Sequence, residues 1–192
     1  MKKFISVILA LTLVLSMAAC GGNNASTGET EPAGAVAASA LEILENIWNQ
    51  YGEDEKFAVI GGNMEAPVDG APGNYDMAYA ENLTYNLLVP ADSLASVDEA
   101  ATVIHMMNAN TFTSGVVHLT EGTDVAAFVQ TMRDAVQNNQ WMCGFPETLV
   151  IAVIGNEYVL VAFGVNDAMT PFQTHLAEAY ADADVQVNEA IG

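Results

Sequence analysis

Two short stretches hold most of the side chains able to do chemistry. In Trp141-Met142-Cys143-Gly144-Phe145-Pro146, Cys143 is the one cysteine of the chain besides Cys20. A deprotonated thiol is a nucleophile and a soft metal ligand. A dithiol redox cycle needs a resolving thiol as well, and Glu147 follows Pro146, so disulfide exchange within one chain is excluded. The second stretch is His105-Met106-Met107-Asn108-Ala109-Asn110-Thr111-Phe112. With His118, Met142 and Cys143 it offers borderline and soft ligands of the kind copper and zinc take.

The spacing does not demand either chemistry. On a helix, the adjacent His105 and Met106 point about 100° apart, and Met107 belongs to an apolar stripe. Cys143 paired with His105, His118 or His175 is permissible, but a thiolate needs an electropositive setting. The neighbours Trp141, Met142 and Phe145 favour a buried apolar turn in which Cys143 acts as a small hydrophobe. There is no G-x-S-x-G, phosphate-binding glycine loop or H-E-x-x-H. No catalytic residue, metal or cofactor is assigned. His105, Met106, Asn108, Trp141 and Cys143 form the candidate functional cluster, and an acid–base site built from Asp and Glu pairs would leave little signature.

The elements that must position these residues belong to a 192-residue chain that is 52% hydrophobic and 15% charged, enough for one core. Its 24 acidic and 4 basic residues oppose binding to nucleic acid or to an anionic lipid surface. Lys2 and Lys3 precede an apolar run from Phe4 to Leu15, and Ser16-Met17-Ala18-Ala19-Cys20 ends in small residues and a cysteine. This is the layout of a bacterial lipoprotein signal, with Met17 where Leu is more usual. The apolar run is shorter than the ~20 residues of a spanning helix, which disfavours an uncleaved anchor. Residues 1–19 are therefore expected to be a signal peptide, with Cys20 carrying a diacylglyceryl group. Cleavage leaves two cations, Lys56 and Arg133, against all 24 acids, a formal charge of −22.

Residues 20–38 read as the lipidated cysteine and a flexible tether, small, polar and without apolar periodicity. Such a tether spans about 25 Å, and a diacyl anchor holds the acidic domain to the membrane despite its charge. Residues 39–192 are expected to form one globular α+β domain. Ser39-x-x-Glu42 is a capping box, and Leu41, Leu44, Trp48 and Tyr51 make a helical stripe ended by Gly52. Glu53-Asp54-Glu55 beside Lys56 reads as a solvated loop, and 57–60 as a short strand. The Gly- and Pro-rich stretch 61–80 reads as a long irregular loop, of a length that is often functional.

Residues 83–89 are strand-like, although helical spacing also fits. Ser96-x-x-Glu99 is a second capping box, with Ala100, Val103, Ile104 and Met107 predicting a helix to about Asn108. Residues 113–119 read as strand, and Val125, Phe128, Val129, Met132 and Val136 as the stripe of the next helix. The apolar runs 148–154 and 157–163, joined by Gly155-Asn156, predict a tight hairpin inside a sheet. Thr170 followed by Pro171 predicts a capped helix to about Tyr180. This order points to a two-layer α+β domain with helices packed on a mainly antiparallel sheet.

The stretch from about Leu88 to Tyr180 resembles small uncharacterised lipoproteins of Gram-positive gut bacteria. The likeness rests on 105–112, on Gly122-Thr123-Asp124, on 140–146 and on 158–164. That family has no assigned activity, so the resemblance implies a secreted, lipid-anchored α+β domain and transfers no catalytic residue. Two functions follow as expectations. The first is a non-enzymatic binding or accessory module at the extracytoplasmic face of the cell membrane, engaging a small ligand, a glycan or an envelope protein. The alternative is an extracytoplasmic enzyme or metal-handling protein using Cys143 and His105.

Overall fold

The computed structural model describes residues 39–155 and 157–192. The signal peptide, Cys20 and the tether expected at 1–38 lie outside the described residues. The domain is α+β, with helices packed on an antiparallel eight-stranded sheet. Seven strands follow the order β2-β1-β4-β5-β7-β6-β8, and β3 also pairs with β4.

Helix α1, Ala40–Trp48, starts where the capping box places it, the Ser39 hydroxyl accepting from Glu42 N–H at 3.1 Å. Glu53, Asp54 and Glu55 are exposed as expected, and Lys56 pairs with Glu53 at 3.3 Å. Strand β1, Val59–Asn63, then turns into β2, Ala66–Asp69, and β3, Gly73–Asn74. The long irregular loop expected at 61–80 thus holds three strand segments, 61–63, 66–69 and 73–74, and the start of a 3₁₀ turn at Met77. Gly61 and Gly73 are required by close backbone approach: a β-carbon on Gly61 would sit 2.2 Å from Gly73 N, and one on Gly73 2.7 Å from Gly62 N. A composition typical of loops serves here as strand packing.

After a 3₁₀ stretch at Met77–Asn82, the strand-like segment 83–89 forms the short helix α2, Leu83–Asn86. Leu88, at φ +61°, closes it, and Val89 N–H reaches back to Leu83 C=O at 3.1 Å. The left-handed residue that ends this helix is thus a leucine and not the glycine usual at such a position.

The helix expected over 96–108 is strand β4, Val97–His105. Ala100 faces one buried cluster, while Ala101 and Val103 face the other. A strand covered on both faces is apolar at nearly every position, and such a run also satisfies helical spacing. Glu99 does not cap a helix of its own. It accepts from Ala40 N–H at 2.8 Å and so ties β4 to the start of α1.

Strand β5, Phe112–Leu119, and helix α3, Val125–Gln137, lie where the pattern places them, and Asp124 caps α3 by accepting from Ala127 N–H. Strands β6, Thr148–Ile154, and β7, Tyr158–Gly164, form the central hairpin. Because Ile154 pairs with Tyr158, the connection has three residues and not two, with Gly155 at φ +63°. Helix α4, Asn166–Ala179, begins a turn before the expected cap at Thr170 and carries Pro171 inside. Asn166 N–H donates to Glu147 at 2.7 Å, and the extra turn buries Ala168 and Met169. Those gains oppose the hydrogen bond that proline cannot donate. Strand β8, Asp184–Ala190, was not anticipated.

Side chains alternate along the inner strands. Val116, Val150, Ala152, Leu160 and Ala162 pack under α1 and α4, while Val117, Leu149, Ile151, Val159 and Val161 pack under α2 and α3.

Candidate functional site

Strands β4 and β7 end, and β5 and β6 begin, at one end of the sheet, as the pairs Phe112–Gly164 and Thr148–Gly164 require. That geometry brings together the β4–β5 turn at 106–111 and the segment 138–147 that follows α3. The two stretches singled out by composition, far apart in the chain, therefore share one apex.

Two asparagines join them. Asn108 Nδ2 donates to Cys143 C=O at 2.8 Å, and Asn110 Nδ2 donates to Met142 C=O at 2.7 Å and Gly144 C=O at 3.0 Å. Asn108 Oδ1 accepts from Asn110 N–H at 3.0 Å, which holds the pair in register. His105 completes the turn: its Nδ1 accepts from Met107 N–H at 3.2 Å and Asn108 N–H at 3.3 Å, and its ring stacks on Phe57. An Nδ1 that accepts leaves the proton of the neutral ring on Nε2.

The 141–146 turn is not buried as expected. Trp141 packs on Phe163 and Pro146 is buried, but Cys143 is exposed and Met142 and Phe145 are 78% and 72% exposed. Cys143 at φ +62° and Gly144 at φ +131° reverse the chain there. The reversal points three side chains outward while the asparagines occupy the carbonyls that would otherwise need a sheet partner. Met107, expected on an apolar stripe, is 82% exposed, and Met106 is 45% exposed. No Asp, Glu, Lys or Arg lies in 100–120 or in 135–146. The two loops carry no charged side chain of their own, while the exposed Glu147 and Asp167 stand beside them at the same end of the sheet.

The candidate residues His105, Met106, Asn108, Trp141 and Cys143 are thus brought together, but the other histidines are not. His118 stands at the far end of β5, where Asp98 meets its Nδ1 at 2.6 Å and Glu157 its Nε2 at 3.2 Å. Burial opposes the charged imidazolium, but the hydrogen bonds and charges of the two carboxylates outweigh it and raise the His118 pKa. His175 is buried on α4, against Tyr51 and beside Glu178 at 2.8 Å. Burial, aided by the Glu55 charge, pushes the Tyr51 hydroxyl well above its ordinary range. Among the described residues no three His, Cys, Asp or Glu side chains converge as metal ligands, and no hydrogen bond joins the Cys143 thiol to an imidazole.

Asn110 was overlooked as a site residue, as were the exposed Met107, Met142 and Phe145. The available signal was the pair Asn108 and Asn110 inside an otherwise apolar run, since polar side chains there need partners. The chain matches no protein-family model, no curated protein and no solved structure.

Proposed function

We propose that the protein is a lipid-anchored extracytoplasmic binding module, with no catalytic role, that presents the apex to an envelope protein. The observation that carries this reading is the asparagine-locked pair of loops holding Met107, Met142 and Phe145 out in solvent. A chain that exposes large apolar side chains on braced loops without charges of their own gains nothing in stability from them. Methionine and aromatic side chains are enriched at the cores of protein interfaces, where such loops are covered. A glycan or small polar ligand would call for a concave, hydrogen-bonding surface.

The described chain enters the domain away from the apex. The described chain begins at Ser39, and Ala40 bonds to Glu99 in the first half of β4, whereas the apex follows His105 at its other end. At ~3.3 Å per residue the chain from Glu99 to His105 separates the two points by about 20 Å. Among the described residues no helix is long and apolar enough to cross a membrane.

Two measurements test the reading. Mass spectrometry of the membrane fraction is expected to find Cys20 diacylated and residues 1–19 removed. An unmodified Cys20, or processing and anchoring that persist in Cys20→Ala, refutes the anchor. For the apex, a photocrosslinker at Met107 or Met142 on intact cells is expected to give one protein adduct that Phe145→Ser abolishes. The same group at Tyr85, also exposed, is expected to give none. Equal crosslinking from all three positions refutes apex binding.

A further inference from the structure

A cleft of about 310 Å³ opens between the C-terminal half of α4 and the edge strand β8, at the lower end of the range of small-ligand pockets. Its accessible walls are Ala177, Ala183 and Val185 over the buried Val150 and Leu176, and Gln173 and Asn188 stand beside them. None of these residues belongs to the apex loops.

A β-bulge shapes it. On β8, Val187 pairs with Ile151 and Val185 with Ala152, so Gln186 is an extra residue in the ladder. Regular alternation would put Val185 and Val187 on one face. The bulge instead leaves Val187 in the cluster under α3 and turns Val185 toward α4, where it lines the cleft 48% exposed. Re-aiming a side chain next to a site is what bulges do in sheets. Asn188, opposite Val150, faces the same way. On the helix side Ala177 leaves the space that a longer side chain would fill.

The polar end determines the chemistry. Asn188 Nδ2 donates to Gln173 Oε1 at 3.0 Å. The pair then offers Gln173 Nε2 as a donor and Asn188 Oδ1 as an acceptor, side by side, with no further bond among the described residues. No charged side chain lines the cleft, and Asp182 and Asp184, exposed beside its wall, repel anions. We propose that this cleft binds a small uncharged molecule carrying an amide and an apolar group: the amide meets the Gln173–Asn188 pair, and the apolar group lies on Ala177, Ala183 and Val185.

The test is an NMR titration of the full-length chain in detergent with N-acetyl-leucinamide and, separately, with N-acetyl-leucine, its carboxylate counterpart. The neutral compound is expected to give saturable shifts at the side-chain amides of Gln173 and Asn188 and the methyl of Ala177, with a dissociation constant on the order of millimolar. The carboxylate is expected to bind at least tenfold more weakly. Ala177→Leu, which fills the cleft, is expected to weaken binding at least tenfold, and Asn188→Ala, on the exposed edge strand, at least threefold should the first variant fail to fold. Shifts that do not saturate, equal binding of the two compounds, or binding unchanged in a folded variant overturns the proposal.

Discussion

Replacing Asn110 by alanine removes both hydrogen bonds from its amide to Met142 and Gly144 and unlocks the apex without touching the sheet. Each such bond is worth about 0.5–1.5 kcal/mol net. The Met142 carbonyl lies in an exposed contact and the Gly144 carbonyl in a partly buried one. Water therefore replaces part of what is lost, and the expected cost is about 1–2 kcal/mol. For a domain of this length that is a fall in melting temperature of roughly 2–8 °C. Asn110→Asp gives a sharper reading, because it keeps the size but turns a carboxylate oxygen toward two carbonyl oxygens; it should cost more than alanine. Hydrogen exchange locates the effect: amides of 141–146 should lose protection in both variants, while β5 and β7 keep theirs. Unchanged exchange at 141–146, or Asn110→Asp as stable as the parent, would refute the clamp.

His118 gives a pH signature. Its folded pKa is raised, so the Asp98–His118–Glu157 contact adds stability in full below the unfolded value of about 6.5 and loses it as pH rises through the folded value. Melting temperatures between pH 5 and 8.5 should show this fall, and His118→Gln should flatten it; a parent curve that rises over the window contradicts the assignment. The exposed thiol of Cys143 should react with iodoacetamide nearly as fast in the native protein as after denaturation, and Cys143→Gly should stabilise by about 1 kcal/mol by relieving the left-handed backbone. Slow native alkylation would place the thiol inside. Gly155→Val should destabilise by about 1–2 kcal/mol through its positive φ alone, since a β-carbon there meets no atom within 4 Å; an unchanged denaturation midpoint would place the turn elsewhere.

Local physics was legible wherever a segment interacts mainly with itself. The Ser39 cap, the stripe of α3 and the apolar runs of β6 and β7 depend on side-chain periodicity and on bonds spanning a few residues, and all of these are present in the chain order. The concentration of unusual residues at 105–112 and 141–146 was legible too. What they do was not, because the bonds that unite them cross more than 30 residues and exist only once β4, β5, β6 and β7 share one end. The same reason explains the corrections. Residues 97–105 satisfy helical spacing, and their burial on both faces makes strand the better solution only after β1 and β5 flank them. Gly61 and Gly73 read as loop because their function, close backbone contact, involves a partner strand. Strand β8 shows only a brief alternation, Val185 and Val187 among polar residues, too short to announce a strand, and its bulge has meaning only against β6 and α4. Composition alone determined the acidity and the apolar content of the core. Which apolar residues stay outside was decided by the tertiary structure, since exposure depends on what the rest of the chain leaves uncovered.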